Sequence, residues 1–378
     1  MLIGPFAPDF VTDSGERRRN IGAVEEPRLT VVGSGRMARS RCLGRSPILA
    51  FAASLSSSLG CSSSDPEPVA VAPPTELTWG TGAPCPVARF EANGAIVDGE
   101  LWVMGGFTAP TLDVTRRIDI YNPETDTWRT GPDLPGAETH VAVSVIGRDI
   151  IVAGGFSGPF TNGVHPPTTD AVFRWNAADS EWVAGPSLPA PGAAFAWALL
   201  EGRLHLAGGL LPDGHEDAPY HYAWQTNGGQ SWERLADILT PRNHGGGAAS
   251  GRIFYAIAGR HQWDESGSNV ADVEAFDPDR GAWTARAPVP VGRSEIGAST
   301  SALSDGRLLV IGGSLNGIMP SDDVLVYDPA EDSWSPLAPL PGKRKGAVAV
   351  QIGRRLIVTT GSPTSIDPVA TTFVGCCL

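Results

Sequence analysis

The stretch LWVMGGF (residues 101–107), followed by IDIYNPETDTW (residues 118–128), decides the fold. An apolar run ends in a glycine pair, and a second run carries Tyr121, an acidic turn and Trp128. Both runs are rich in β-branched and aromatic residues, which makes them strands, and NPETDT is the turn into a third. The arrangement recurs. Glycine pairs or close variants stand at Gly105-Gly106, Gly154-Gly155, Gly208-Gly209, Ala258-Gly259, Gly312-Gly313 and Thr360-Gly361. Tryptophans keep the same interval of about 50 residues, at Trp79, Trp128, Trp182, Trp232, Trp283 and Trp334. An aromatic precedes four of them at one offset, as Tyr121, Trp175, Phe276 and Tyr327; the third copy has Gln225 there, with Trp224 beside it.

Composition agrees with many short strands and tight turns. The 378 residues include 46 glycines and 33 prolines, and 42% are hydrophobic, which is too apolar for a disordered chain. The formal net charge of −13 disfavours nucleic acid and anionic lipid as partners. A repeat of this period predicts a β-propeller with one four-stranded blade per copy. The ends divide a blade between them. Residues 76–86, ELTWGTGAPCP, carry a tryptophan with no strands before it, and the last copy, starting at KGAVAV (345–350), ends without one. The Trp79 segment is therefore expected to be the outer strand of the last blade, closing a ring of six and leaving no open edge. In that register Cys85 falls about 20 Å from Cys376 and Cys377 at strand rise, too far for a disulfide.

The leading arginine, glycine pair, tyrosine and tryptophan over residues 79–378 resemble the kelch family. The resemblance implies an all-β, six-bladed kelch propeller whose Tyr and Trp rings fill the space between blades, at ~2–3 kcal/mol per ring. It also implies a binding or interaction protein, acting as a monomer on another protein or on a small anionic or carbohydrate ligand. Copper radical oxidases and sialic-acid mutarotases share the fold. The oxidases need two tyrosines, two histidines and a crosslinking cysteine; here Tyr121 and Tyr327 occupy packing positions and no cysteine is placed to crosslink. A mutarotase-like site needs arginines to grip a carboxylate and an acid or base beside them, so a sugar-acid mutarotase or epimerase is the alternative function.

The turns joining the first and second strands are short, whereas the loops from second to third strand are long and unlike one another, as in LLPDGHEDAPYH (210–221) and RHQWDESGSNVAD (260–272). Their rim is the expected working face. The kelch arginine stands there as Arg89, Arg242, Arg293 and Arg344, replaced by Glu138 and Gly192 in two copies. Converging guanidinium groups would focus an anion, with Arg260 and His261 beside them and His244 or Glu295 as weak catalytic candidates. If they serve a ligand, alanine there should cost little stability. The other use of such arginines is to pair with carbonyls or acids and hold the ring. Trp263, Phe156 and Phe160 are candidates for an apolar patch contacting a partner. His215, Glu216, Asp217 and His221 match no metal-ligand spacing, so no metal and no cofactor is expected; His140, His165 and His205 read as structural or exposed.

The N-terminal part differs. From Met37 the chain reads MARSRCLGRSPILAFAASLSSSLGC (37–61): Arg39, Arg41 and Arg45 precede the apolar-to-small stretch Ile48 to Leu59. This has the composition of a secretory signal. It resembles a bacterial lipoprotein signal, with Cys61 as the lipidated residue and Ser58 where such signals usually carry leucine; ordinary cleavage nearby is the other reading. The division expected is an untranslated or mis-assigned start at 1–36, a signal peptide at 37–60, a Ser/Pro-rich tether at 61–78 and the propeller at 79–378. The protein is then exported to the cell envelope and touches a membrane only through its lipid.

Overall fold

The computed structural model describes residues 77–109, 111–159, 166–262 and 268–376. Met37, the signal, Cys61, Phe160, His165, Trp263 and Cys377 lie outside them. The described residues form a β-propeller without α-helices, containing six four-stranded antiparallel sheets. In the first, Asn93–Val97 is innermost, followed by Glu100–Met104, Ile118–Asn122 and Thr127–Thr130. The innermost strands of the next four are Ala142–Ile146, Ala196–Leu200, Gly246–Ser250 and Thr300–Ala302. The last sheet runs outward from Val348–Ile352 through Arg355–Thr359 and Thr372–Cys376, and its outer strand is Thr78–Gly82.

That outer strand puts Thr78 opposite Cys376 and Trp79 opposite Gly375. Cys85 lies beyond the other end of the pairing, buried, where its N–H donates to the Ala370 carbonyl. Cys85 and Cys376 are both free thiols.

The core lies between neighbouring sheets. Met104, Ile118 and Ile120 of the first pack against Val143, Ile150 and Val152 of the second. The repeated aromatics face each other across the third and outer strands, with ring centroids 4.9 Å apart for Tyr121–Trp128 and 5.1 Å for Tyr327–Trp334. In the third copy the partner of Trp232 is Trp224, not Gln225. Five of the six outer-strand indoles, all but Trp182, also reach the preceding sheet. Trp128 donates to the Ala83 carbonyl at 2.9 Å, Trp232 to Pro186 at 2.9 Å, Trp283 to Ala236 at 2.9 Å and Trp334 to Ala287 at 2.9 Å. Trp79 donates to Ala338 at 3.1 Å. A buried indole that keeps its N–H satisfied contributes its full apolar area without an unpaired donor.

The glycine pair is a requirement of backbone geometry. Gly105 and Gly106 have φ of 64° and 87°. A Cβ on Gly105 would sit 2.2 Å from the Glu138 carbonyl oxygen. Only glycine accepts both conditions without strain.

Candidate functional site

Each inner strand is preceded by a short rim segment that pairs with the loop leaving the second strand. Arg89–Phe90 pairs with Phe107–Thr108, Glu138–Thr139 with Phe156–Ser157, and Arg293–Ser294 with Ser314–Leu315. The long loops and the starts of the inner strands therefore share one rim. The repeat arginine sits in this segment, ahead of the inner strand rather than within it.

These arginines do not line the cavity at the centre of the rim. Arg89 is fully buried, pairs with the buried Asp119, and donates to the carbonyls of Gly105 at 3.4 Å and Arg117 at 2.9 Å. Arg242 meets Glu274 at 2.7 Å and donates to Ala258 O at 2.8 Å and Ala256 O at 2.9 Å. Arg293 reaches Asp323 at 2.9 Å and Gly312 O at 3.0 Å. Arg344 donates to Lys343 O at 2.7 Å and lies 4.8 Å from the centre of the Phe373 ring. Burial pulls the pKa values of Arg293 and Arg344 below the ordinary arginine value. The reason is local: the turned glycine pair points carbonyls out of the ladder, and a buried carbonyl needs a donor. The expectation of four guanidinium groups converging on an anion is corrected accordingly. Glu138, at the same position in the second copy, is buried, and that desolvation raises its pKa to about 7.

Two residues further on, the chain faces inward. Glu91, His140, Ala194, His244, Glu295 and Gly346 occupy this second position, all left-handed, with φ between 53° and 57°. Backbone bonds connect them across sheets: Ala194 N donates to His140 O at 3.0 Å, His244 N to Ala194 O at 3.0 Å, Gly346 N to Glu295 O at 3.0 Å and Glu91 N to Gly346 O at 2.8 Å. Five non-glycine residues held at positive φ carry strain of about 1–3 kcal/mol each, of the kind often found where side chains must be aimed.

They surround a cavity of ≈ 370 Å³, open mouth included, whose walls include Glu91, His140, His244, Glu295 and Trp197. His140 Nε2 lies 3.2 Å from Glu91 Oε2. The rings of His140 and His244 meet edge to face with centroids 4.8 Å apart. On the other side, Glu295 is held by Lys345 at 2.9 Å and approached by Arg260 at 3.9 Å. Trp197 is fixed by its indole N–H on Val143 O at 2.7 Å.

Of the other candidates, His261 is half-exposed at the rim and contacts Asp217 at 3.2 Å. Asp217 also accepts from Asn243 and from the Gln262 N–H. His221, at the end of the same loop, turns into the core instead; it is fully buried against His205, nitrogen to nitrogen at 2.9 Å, among Phe254, Phe276 and Trp283. Burial lowers the His205 pKa to about 4 and that of His221 well below its ordinary value. Phe156 is buried, so it offers no surface to a partner. Glu91 and His140 were missed as site residues. Each sequence copy read two places beyond its arginine would have found them.

A family model for the Kelch motif matches residues 88–135 and 298–341. The chain carries kelch motifs. Among curated relatives, Kelch-like protein terF of Aspergillus terreus is 26% identical over 313 residues, covering 78% of this chain and 55% of that protein. Beta-scruin of Limulus polyphemus is 24% identical over 206 residues, covering 52% of this chain and 22% of its own. Kelch-like protein 35 of Mus musculus is 27% identical over 210 residues, 55% of this chain and 32% of its own. The chain thus spans little more than half the length of the first relative and less of the other two. The solved structure of YjhT superposes with a TM-score of 0.63 at 14% identity, covering 77% of this chain and 96% of that one. That likeness concerns the kelch fold alone.

Proposed function

We propose that this kelch protein is a binding protein that takes a small carbohydrate or carboxylate group into the central cavity from the rim bearing the long loops. The carrying observation is the make-up of the cavity: it combines the aromatic side chains Phe195 and Trp197 with the polar groups Glu91, His140, His244 and Glu295. In this reading Arg260 and His261 stand at the entrance, while Arg89, Arg242, Arg293 and Arg344 hold the wall. The propeller is a closed six-bladed ring, supported by Gly361 N on Arg89 O at 2.8 Å and Trp128 on Ala83. The protein is exported and tethered through lipid on Cys61, a reading that rests on the N-terminal sequence. A protein partner would touch Ile318, Met319 and Ile366, which are exposed on the loops of the last two sheets.

A thermal-shift panel of sugar acids, neutral sugars, dicarboxylates and phosphates tests the cavity, because a ligand that binds only the folded state raises its melting temperature. At least one member should stabilise the wild type, and Glu295→Gln and Trp197→Ala should each remove the shift. If no member acts on the folded wild type, the cavity reading is wrong and recognition belongs to the loop surface. A second reading, a sugar-acid mutarotase, is favoured by Glu295 and His244 sharing the cavity with Lys345 and Arg260 close behind Glu295. Exchange spectroscopy on the anomers of sialic acid separates the two, since a binding protein leaves the exchange rate unchanged.

A further inference from the structure

We infer that Glu91, His140 and His244 form a binding site for one divalent transition-metal ion, of the Zn²⁺ class, in the wall of the cavity. One ligand atom from each lies within 4.8 Å of the other two. The two histidines are buried and Glu91 is half-buried. Two imidazoles and a carboxylate are a common donor set for such ions.

The hydrogen bonds behind the rings fix how the donors point. Asp217 is a carboxylate and only accepts, so the side of Asn243 facing it is the amide NH₂. The same NH₂ is 3.4 Å from the Gln262 carbonyl. The Asn243 oxygen therefore faces His244 Nδ1, which must carry the proton. The acceptor nitrogen of His244 is then Nε2. His140 obeys the same logic. Thr139 Oγ1 donates its hydroxyl hydrogen to the Glu91 carbonyl at 2.9 Å, so at 3.1 Å it accepts from His140 Nδ1–H. In the neutral ring Nε2 is again the acceptor, and it is the atom 3.2 Å from the Glu91 carboxylate, a contact that a proton or a cation between the two makes favourable.

One donor atom from each of the three residues thus approaches the others from three sheets in a largely buried place, and a cation held between them would be coordinated by all three. Ligand atoms on a tetrahedral zinc ion sit about 3.4 Å apart. The His140–Glu91 pair already has nearly that separation, and His244 needs only a small movement to join it. Outer hydrogen bonds of this kind, Thr139 on one ring and Asn243–Asp217 on the other, hold metal-ligating histidines in orientation. The loop carrying Asp217, whose own residues match no metal-ligand spacing, thereby supports a site formed by other residues. The inference concerns the same cavity but does not depend on the sugar-ligand reading.

The untagged, metal-stripped full chain should be titrated with Zn²⁺ by calorimetry and with Co²⁺ by visible absorption. One equivalent is expected, with Co²⁺ giving d–d bands characteristic of nitrogen and oxygen ligation, and with no sugar present. His140→Gln and His244→Gln should each weaken binding at least 100-fold. Asn243→Ser, which touches no metal, should weaken it about 10-fold to 100-fold. Melting curves of the metal-free variants establish that each is folded, and the Zn²⁺-dependent rise in melting temperature should be largest in wild type, smaller in Asn243→Ser and smallest in the two histidine variants. A folded wild type that binds no ion at micromolar concentration overturns the site, as does binding that survives both histidine replacements. A negative sugar panel with positive metal titration would remove the ligand reading and leave this one intact.

Discussion

Arg89 and Glu91 are two residues apart, as are Arg242 and His244, and Arg293 and Glu295, yet their surroundings have little in common. The first of each pair is nearly solvent-free and spends its donors on carbonyls and an acid within its own sheet. The second is left-handed, linked to its neighbours by backbone bonds, and turns its side chain to the cavity. At the first position, Arg89, Arg242 and Arg293 repeat one chemistry because each meets a carbonyl at its own glycine pair and an acid downstream. The second reads Glu, His, Ala, His, Glu, Gly, because a ring lining one cavity has no reason to be uniform. Repetition in this chain marks what builds the wall, and function is better sought where the repeat breaks.

The largest test asks whether the six positions form one ring at all. A chain beginning at Val87 lacks the strand Thr78–Gly82, the Trp79 indole with its bond to Ala338, and the bond of Trp128 to Ala83. It should lose more than the ~3–5 kcal/mol of a buried tryptophan truncation, because ladder hydrogen bonds go as well. A chain beginning at residue 75 should keep full stability. Equal urea midpoints for the two would break the comparison at its root.

Arg242→Ala against His244→Ala tests the contrast directly. Removing Arg242 strands Glu274, which is 2% exposed, together with several carbonyls; a broken buried pair costs about 3–5 kcal/mol. His244→Ala removes a cavity-wall ring and should cost roughly 1–2 kcal/mol. The reversed order would make the arginines free for a ligand after all.

Glu138 sharpens the first position by its exception. Its folded pKa, about 7, lies above the ordinary value of 4.5. The folded state therefore holds the proton more tightly, and the associated stability is present below pH 4.5 and lost as pH rises through 7, about 3 kcal/mol in all. Glu138→Gln should match wild type near pH 4 and exceed it by up to that amount at pH 8. The buried His205–His221 pair acts with the opposite sign. His205, depressed from 6.5 to about 4, gives stability that is present above 6.5 and lost as pH falls towards 4. The two slopes oppose each other in the wild-type curve, so the difference between the curves of variant and wild type is the quantity to read.

Much of the fold was legible in sequence because it rests on local necessity. The glycine pair ends a strand at positive φ, the tryptophan follows its aromatic partner across a turn, and the split last sheet follows from where Trp79 stands. Even the separation of Cys85 from Cys376 came out of that register. The third copy departs by one place, and the longer turn TNGGQS puts Trp224 opposite Trp232. The site was less legible. Glu274, within the strand Ser268–Asp277, and Asp323, just ahead of the strand Val324–Asp328, take up the arginines from about 30 residues downstream, beyond connections of irregular length, and nothing local announces them. His140 stands alone in its copy because Glu91 and His244 belong to other copies, and only the packing of neighbouring sheets brings the three together.

The smallest test concerns the strain at the second position, and Ala194 is its cleanest member because it brings no polar chemistry. At φ 57° an alanine carries about 1–2 kcal/mol of steric cost that glycine does not. Ala194→Gly also loses a buried methyl beside Phe156 and Leu210, about 0.8 kcal/mol, and gains unfolded-chain entropy of about 0.4–1 kcal/mol. These contributions nearly cancel, so the variant should melt within about 1 kcal/mol of wild type. Ala198→Gly, in the neighbouring inner strand Ala196–Leu200 and similarly buried, suffers both losses with no relief of strain and should fall by about 1–2 kcal/mol. A matched pair of chemical denaturation curves reads the difference. If the two alanines lose equally, the left-handed ring is unstrained, and its side chains are where they are through packing alone. If Ala194→Gly holds while Ala198→Gly falls, the fold spends stability to hold this ring of residues at the cavity.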